Sequence, residues 1–316
     1  MATATPASVF IIPVFNDRVS CAVLLREMAT FVNAQDWRIC LIDDGSTSDP
    51  PRLSDLIDSR LAGVILRLPH NMGHQAAIAC GIGYVAANWP GANAVIMDAD
   101  GEDQPSTVPA LLSHLDPNAL CAIVAERRGR TESAAFRIFY QVYKALFRLL
   151  TGHRIDFGNF MVLSGPAVRR LASMHQTWLH IPAALIASRI PRKGAPIDRG
   201  KRYAGQSQMN FVSLSVHGVR GLMVFADAVL MRLIFGGIVM IVAATAVALV
   251  ALGLKVTGNA TPGWFTTVVG IAVVMVMQTL EVFAVLLILA GLARGGILRD
   301  ASKAYQDCIA GVEATP

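Results

Sequence analysis

Apolar residues gather along the first half of the chain in short β-branched runs: Val9-Phe-Ile-Ile-Pro-Val-Phe15, Arg38-Ile-Cys-Leu-Ile42, Val64-Ile-Leu-Arg-Leu68 and Ala94-Val-Ile-Met97. Helix-length stretches of mixed character separate them, and this alternation predicts an α/β domain with a mostly parallel sheet. Two later runs, Leu120–Ala125 and Phe160–Leu163, are expected to extend it. Open sheets of this kind bind ligands at the carboxyl ends of their strands. Polar clusters stand there: Asn16-Asp17, Asp43-Asp44-Gly45-Ser46 and Asp98-Ala99-Asp100.

Beyond Ser207 the pattern changes. Phe211, Leu214, Val219, Leu222, Val224 and Phe225 recur at roughly helical spacing, so 207–230 reads as an amphipathic helix lying on a bilayer, with an ordinary docked helix as the competing reading. Phe136 to Leu150 mixes aromatic and basic residues as a bilayer-facing or core-facing helix does. Leu233–Leu254 is about 33 Å long at ~1.5 Å per residue, enough to cross a hydrocarbon core of about 30 Å. Phe265–Ala293 is longer, so tilt or an interfacial end is expected. It contains Gln278 and Glu281. A carboxylate at that depth is functional by default, although Glu281 equally reads as facing the partner helix or a neighbouring subunit. Gly236, Gly237, Gly253 and Gly270 would let the spans pack across subunits, which is compatible with a homo-oligomer.

Composition sharpens this division. The chain has 316 residues, 54% hydrophobic and 16% charged, which excludes a disulfide-stapled miniprotein and a disordered chain. The apolar excess is local, because only Lys255 and Glu281 are charged between Leu233 and Ala293. Residues 1–100 hold 6 Lys and Arg against 10 Asp and Glu, whereas residues 101–232 hold 17 against 8. An acidic part able to hold a cation is thus followed by a basic one, placed just before the spans, where phosphates or anionic headgroups are better partners than nucleic acid. Arg220 and Arg232 precede the first span; Arg294, Arg299 and Lys303 follow the second. Both ends, and the α/β domain, are therefore expected in the cytoplasm. Met1–Ser8 has no basic segment ahead of an apolar core, so no signal peptide is expected. Five cysteines without a C-x-x-C read as small buried residues in a reducing compartment.

Asp98-Ala99-Asp100 ends a predicted strand, and two carboxylates so spaced can hold Mg²⁺ or Mn²⁺ against a diphosphate. Alone, such a pair reads equally as a solvated turn. It stands, however, in order with Pro13-Val-Phe-Asn-Asp17, Asp43-Asp44-Gly45-Ser46, Asn71-Met72-Gly73-His74 and Asp98 to Pro105. The series continues through Arg127-Arg128, Asp156-Phe157-Gly158-Asn159-Phe160 and Arg199-x-x-Arg202-x-x-Gly205-x-Ser207, and then two spans. In this the chain resembles family 2 glycosyltransferases of GT-A fold, and among them the polyprenyl-phosphate glycosyltransferases that include dolichyl-phosphate mannose synthases.

The resemblance implies a Rossmann-like GT-A domain over 1–206, an amphipathic juxtamembrane segment over 207–232, two transmembrane helices within 233–293 and a cytoplasmic tail over 294–316. It implies an inverting transfer of a sugar from a UDP- or GDP-sugar to a polyprenyl phosphate, at a bacterial inner membrane. Pro13, Phe15, Asp17, Asp43, Asp44, Gly73, Asp98 and Ala99 would bind the donor nucleotide. Asp98 and Asp100 would hold Mg²⁺ or Mn²⁺, with Asp100, Asp103 and Asp156 in the catalytic set. Arg127, Arg128, Arg199, Arg202 and Ser207 would grip the acceptor phosphate, for which the guanidinium fork is suited. Asp156 would take a proton or orient an arginine.

The chain departs from the family pattern at Asp17 (usually Glu), Phe15 (Tyr), Met161 (often Arg) and Gln208 (Lys). These changes bear on the acceptor geometry and the sugar. Three other readings of the sequence compete with this one. Gly81-Ile-Gly83-Tyr-Val-Ala86 matches a dinucleotide fingerprint, but its glycines fall inside a helix rather than at its start, where close packing explains them better. A processive polysaccharide synthase would carry Q-x-x-R-W, of which Gln176-Thr-Trp178 is an echo. A non-catalytic membrane scaffold is opposed by the intact Asp98 and Asp100. His70 and His74 straddle a loop, so no zinc site is expected.

Overall fold

The computed structural model describes residues 6–32, 36–128, 134–198, 200–204, 211–259, 261–295 and 302–316. Its strands are β1 (Ser8–Val14), β2 (Trp37–Asp43), β3 (Gly63–Arg67), β4 (Asn93–Ile96), β5 (Ala122–Arg128), β6 (Met161–Leu163), β7 (Arg192–Asp198) and β8 (Gly311–Ala314). They form one sheet in the order β7-β5-β6-β4-β1-β2-β3-β8. The helices are α1 (Arg18–Met28), α2 (Leu53–Asp58), α3 (His74–Asn88), α4 (Val108–Ser113), α5 (Ala134–Thr151), α6 (Gly165–Ala172), α7 (Ile181–Ala187), α8 (Phe211–Met223), α9 (Ala226–Val256), α10 (Trp264–Gly295) and α11 (Ala304–Asp307).

The six apolar runs became β1 to β6. All seven residues of β1 are buried, as a strand covered on both faces requires. β1 pairs in parallel with β2 and β4, and β2 with β3, but β6 runs antiparallel between β4 and β5. The sheet is therefore mixed. β7 and β8 follow no apolar run. β7 is a mostly exposed edge (Arg192-Lys-Gly-Ala-Pro-Ile-Asp198), and β8 is four residues long and antiparallel to β3.

Strand order reverses at β1, whose successors lie on one side (β2, β3) and then on the other (β4). That is where an open sheet presents its crevice. Pro13 fits there. The amide of Ile11 and that of Pro13 face the same neighbour, and β4 ends opposite Ile11, so the missing N–H of Pro13 costs no ladder bond.

By internal packing the chain divides into two units, one comprising residues 1–145, 153–224 and 299–316, the other 146–152 and 225–298. In the first, α8 docks through its glycines. A Cβ on Gly218 would lie 2.8 Å from the Tyr143 ring, and Gly221 faces Tyr143 and His180. Its other side leaves Val216, Val219 and Met223 exposed. The helix expected over 207–230 thus has one docked face and one free apolar stripe, and it stops before Val224. The second unit contains α9 and α10, two helices long and apolar enough to cross a membrane. A Cβ on Gly237 would strike Phe283 at 2.3 Å, so that glycine allows the two helices to touch.

Gly81 and Gly83 lie inside α3, as packing residues. A Cβ on Gly81 would sit 2.6 Å from Ile11 Cγ2 and 2.9 Å from Ile42 Cδ1. We predict that Gly81→Val overpacks the helix–sheet contact and destabilises the protein by about 1–3 kcal/mol, read as a lower denaturation midpoint in detergent.

Candidate active site

A cleft of about 540 Å³ opens at the reversal point and is lined by the ends of several elements. Pro13 lies near the end of β1, and Phe15, Asn16 and Asp17 follow it; Asp44 follows β2; Asn71 and Gly73 lead into α3, which His74 begins. Asp98, Ala99 and Asp100 follow β4, and Asn159, Arg202, Ala204 and His217 complete the wall. Each loop is pinned. Asp17 caps α1 by accepting from the Ser20 N–H at 3.3 Å. Asp44 accepts from the N–H groups of Met72 (2.7 Å) and Gly73 (3.0 Å), which ties the β2 loop to the start of α3. Burial raises the Asp44 pKa above the ordinary carboxylate value, although these two donors oppose the shift.

Of the residues expected to bind the donor, Asp43 is not part of the cleft wall. It is buried, accepting from Ser46 N–H at 3.0 Å and from Arg67 Nη1 at 2.8 Å. Asp103 is likewise buried off the wall, and its carboxylate accepts from the Asp98 N–H at 3.0 Å, holding the end of β4. Asp156 is exposed on the loop before β6 and does not line the cleft, whereas Asn159 of the same loop does. Arg202 does line it, and it is paired with carboxylates: Nη2 to Asp100 Oδ2 at 2.7 Å and Nε to Glu102 Oε1 at 2.9 Å. Arg199 and Ser207, and the side chains of Arg127 and Arg128, lie outside the described residues.

Asp98 and Asp100 both open on the cleft. Burial, and then the Asp98 charge, raise the Asp100 pKa, while the Glu102 N–H and Arg202 oppose the rise. Two half-buried carboxylates that repel one another, made only of hard oxygen donors, suit Mg²⁺ or Mn²⁺ completed by phosphate oxygens. The residues therefore fit the expected metal. Among the described residues no group of three or more acidic, histidine or cysteine side chains forms a closed cage.

His74, Gln75, Asn159 and His217 carry geometry that motif spacing does not reveal. The Ile181 N–H donates to Gln75 Oε1 at 2.6 Å, which orients the buried amide so that Gln75 Nε2 donates to Asn159 Oδ1 at 3.1 Å. Asn159 Nδ2 then lies 3.0 Å from His74 Nε2, a ring nitrogen that can accept from it or, when protonated, donate to Asp98, but not both. The same nitrogen lies 3.2 Å from Asp98 Oδ1. Desolvation opposes a charge on His74, but the attraction of Asp98, with Asp103 and Asp44, outweighs it and raises its pKa. The loop bearing Asp156 is thereby connected to the carboxylate pair.

Residues 9–176, more than half of the chain, match the family described as Glycosyl transferase family 2. The dodecaprenyl-phosphate galacturonate synthase of Rhizobium johnstonii (strain DSM 114642 / LMG 32736 / 3841) is 26% identical over 185 residues, covering 55% of this chain and 52% of that relative. The chain thus spans about half the length of the curated relative it matches. Glucosyl-3-phosphoglycerate synthase of Mycobacterium tuberculosis, crystallised with Mn²⁺, UDP-glucose and phosphoglyceric acid, superposes with a TM-score of 0.50 at 17% identity, over 72% of this chain and 79% of that one. That likeness is one of fold.

His217 of the wall faces the buried His180 behind it, with their Nε2 atoms 3.0 Å apart. The Ala183 N–H donates to His180 Nδ1 at 3.2 Å, so the neutral ring carries its proton on Nε2 and gives it to His217. Both rings must be neutral. Burial, and then the neighbouring ring, lower His180 to about 3; burial, followed by His74 and Arg220, lowers His217 to about 4. Below their unfolded value of 6.5 the unfolded chain binds protons that the folded one refuses, so stability falls as pH drops from 6.5 towards 4. We predict that His180→Asn/His217→Phe, which keeps an N-cap acceptor, flattens this part of the pH–stability curve measured by thermal unfolding.

Proposed function

Since the chain belongs to glycosyl transferase family 2, we propose that it moves a sugar from a nucleotide-sugar donor to a polyprenyl phosphate at the cytoplasmic face of a membrane. The observation that carries this reading is the convergence of Pro13, Asp17, Asp44, Asp98 and Asp100 on one cleft at the reversal point of the sheet. The carboxyl-rich wall suits a metal–diphosphate group. The relative named for a dodecaprenyl-phosphate product supports the acceptor class.

The donor is a UDP- or GDP-sugar. Pro13, Phe15, Asp17, Asp44, Gly73 and Ala99 receive the nucleoside, and Asp43 acts from behind by fixing the 43–46 loop. Asp98 and Asp100 would hold Mg²⁺ or Mn²⁺, which when bound neutralises the departing diphosphate. Arg202 and His74, resting on those carboxylates, shift towards phosphate oxygens as the donor enters. The acceptor phosphate is already largely dianionic at neutral pH, with a second pKa of about 6, so attack on the anomeric carbon needs little base. Displacement in one step inverts that centre. Positioning and electrostatic neutralisation supply most of the acceleration. Arg127, Arg128, Arg199 and Ser207 complete the acceptor side, and Asp156 on the Asn159 loop receives a proton or orients an arginine.

Connectivity supports the membrane placement. The chain leaves the sheet unit after Val224 and belongs to it again from Arg299, so the segment between must begin and end on one side of a bilayer. Two spans satisfy this; one does not. The basic residues Arg220, Arg232, Arg294, Arg299 and Lys303, which flank the two apolar helices, support a cytoplasmic side. Within the second unit a groove of about 790 Å³, walled by Leu149, Leu233, Phe235, Met240 and Phe283 with Arg232 as the one cation among the described residues of its wall, has the apolar character that a prenyl chain would meet.

The test is nucleoside diphosphate release by the detergent-purified protein over a panel of UDP- and GDP-sugars, with and without undecaprenyl phosphate. We expect release from one donor that requires the lipid, stops on chelation and returns with Mg²⁺ or Mn²⁺. Asp100→Asn should lower it at least about a hundredfold with the fold intact. Release from no donor in the presence of lipid would reject the acceptor assignment.

A further inference from the structure

The residues after the second apolar helix do not trail away. Tyr305 of α11 is buried over Gly83, where a Cβ would approach its own Cβ to 2.8 Å. Its ring meets Tyr84 edge-on at 6.3 Å, and its carbonyl lies 3.9 Å from Cys80 Sγ. β8 then pairs with β3 from Arg67↔Gly311 to Val64↔Ala314. The Ala310 N–H donates to Arg67 O at 2.8 Å and the Thr315 N–H to Gly63 O at 3.0 Å, extending the ladder at both ends. Glu313 accepts from Arg67 Nε at 2.8 Å.

The two elements held in this way, β3 and α3, flank the 68–73 loop that brings Asn71 and Gly73 to the cleft. A bonded path runs from the tail to the same wall. Arg67, gripped by Glu313, donates through Nη1 to Asp43. Asp43 holds the Ser46 N–H, and Ser46 Oγ accepts from the N–H of Asn16, a cleft residue kept at φ +50°. Asp43 O also accepts from the Leu68 N–H at 3.0 Å, and Asp44 fixes Met72 and Gly73. β8 adds little core, since Val312 is half exposed; its one charged side chain is engaged by the arginine that orients Asp43.

We propose that the tail, residues 302–316, is a positioning element of the nucleotide site: docked on β3 and α3, it sets the 43–46 and 68–73 loops through Glu313, Arg67 and Asp43. This rests on the cleft being the donor site. Nucleotide affinity is then set partly by a segment that touches no nucleotide and that follows directly on the membrane hairpin.

The test is calorimetric binding of UDP and of GDP, with Mn²⁺, to the full-length protein in detergent. Glu313→Gln should weaken binding of the preferred nucleotide about threefold with an unchanged melting temperature. Gly83→Leu, which displaces Tyr305, should weaken it about tenfold. Combined with Asp43→Asn, the effect of Glu313→Gln should largely disappear, because both act through Arg67. Asp44→Ala is the control and should lose binding. If Asp44→Ala binds as the parent does, the donor reading itself falls, and this inference with it. If Asp44→Ala loses binding while Glu313→Gln keeps the parent's affinity, the tail is structural only, whether or not Gly83→Leu folds.

Discussion

Carboxylates crowded at the carboxyl ends of three strands, β1, β2 and β4, must each be given a partner, and the architecture of the sheet unit follows from how this is done. Asp17 and Asp44 are held by backbone N–H groups at the starts of α1 and α3. Asp43 takes an arginine and a loop amide; Asp103 takes the Asp98 amide and so fixes the turn that presents Asp98 and Asp100. Those two face the cleft and rest against His74 and Arg202. A half-buried carboxylate left with only another carboxylate for company would protonate. Here the two that face the cleft have Arg202 and His74 as neighbours, side chains that an incoming metal ion would displace.

The strands that build this arrangement were readable because a strand segment buried on both faces must be continuously apolar, as Val9–Val14, Ile39–Ile42, Val64–Leu66 and Ala94–Ile96 are. β7 and β8 were not, because an edge strand needs only one apolar neighbour: β7 alternates around exposed Arg192 and Lys193, and β8 spans four residues. The motifs gave the acidic residues but not their partners. Arg202 was expected on an acceptor phosphate and stands on Asp100 and Glu102, because the segment after β7 folds back on the Asp98–Asp103 turn, with Tyr203 N–H bonded to Asp100 O. Gln75 and His180 bond across 106 and 37 residues, separations at which no local pattern carries a signal.

The glycines of α3 show how one sequence feature can serve two structural ends. Spaced as in a dinucleotide fingerprint, Gly81 admits Ile11 and Ile42 of the sheet, and Gly83 admits Tyr305 from the far end of the chain. The helix is thus pressed on the sheet on one side and capped by the tail on the other. Its first residues, fixed by both contacts, deliver His74 and Gln75 to the site.

The most direct test of the account is a structure of the full-length protein with Mn²⁺ and UDP or GDP, the manganese located by its anomalous scattering. A manganese signal is expected at Asp98 and Asp100, with the diphosphate against it and the nucleoside along Pro13, Asp17 and Asp44. Nucleotide and metal bound elsewhere, or nucleotide in the cleft with no metal at those two carboxylates, would contradict it.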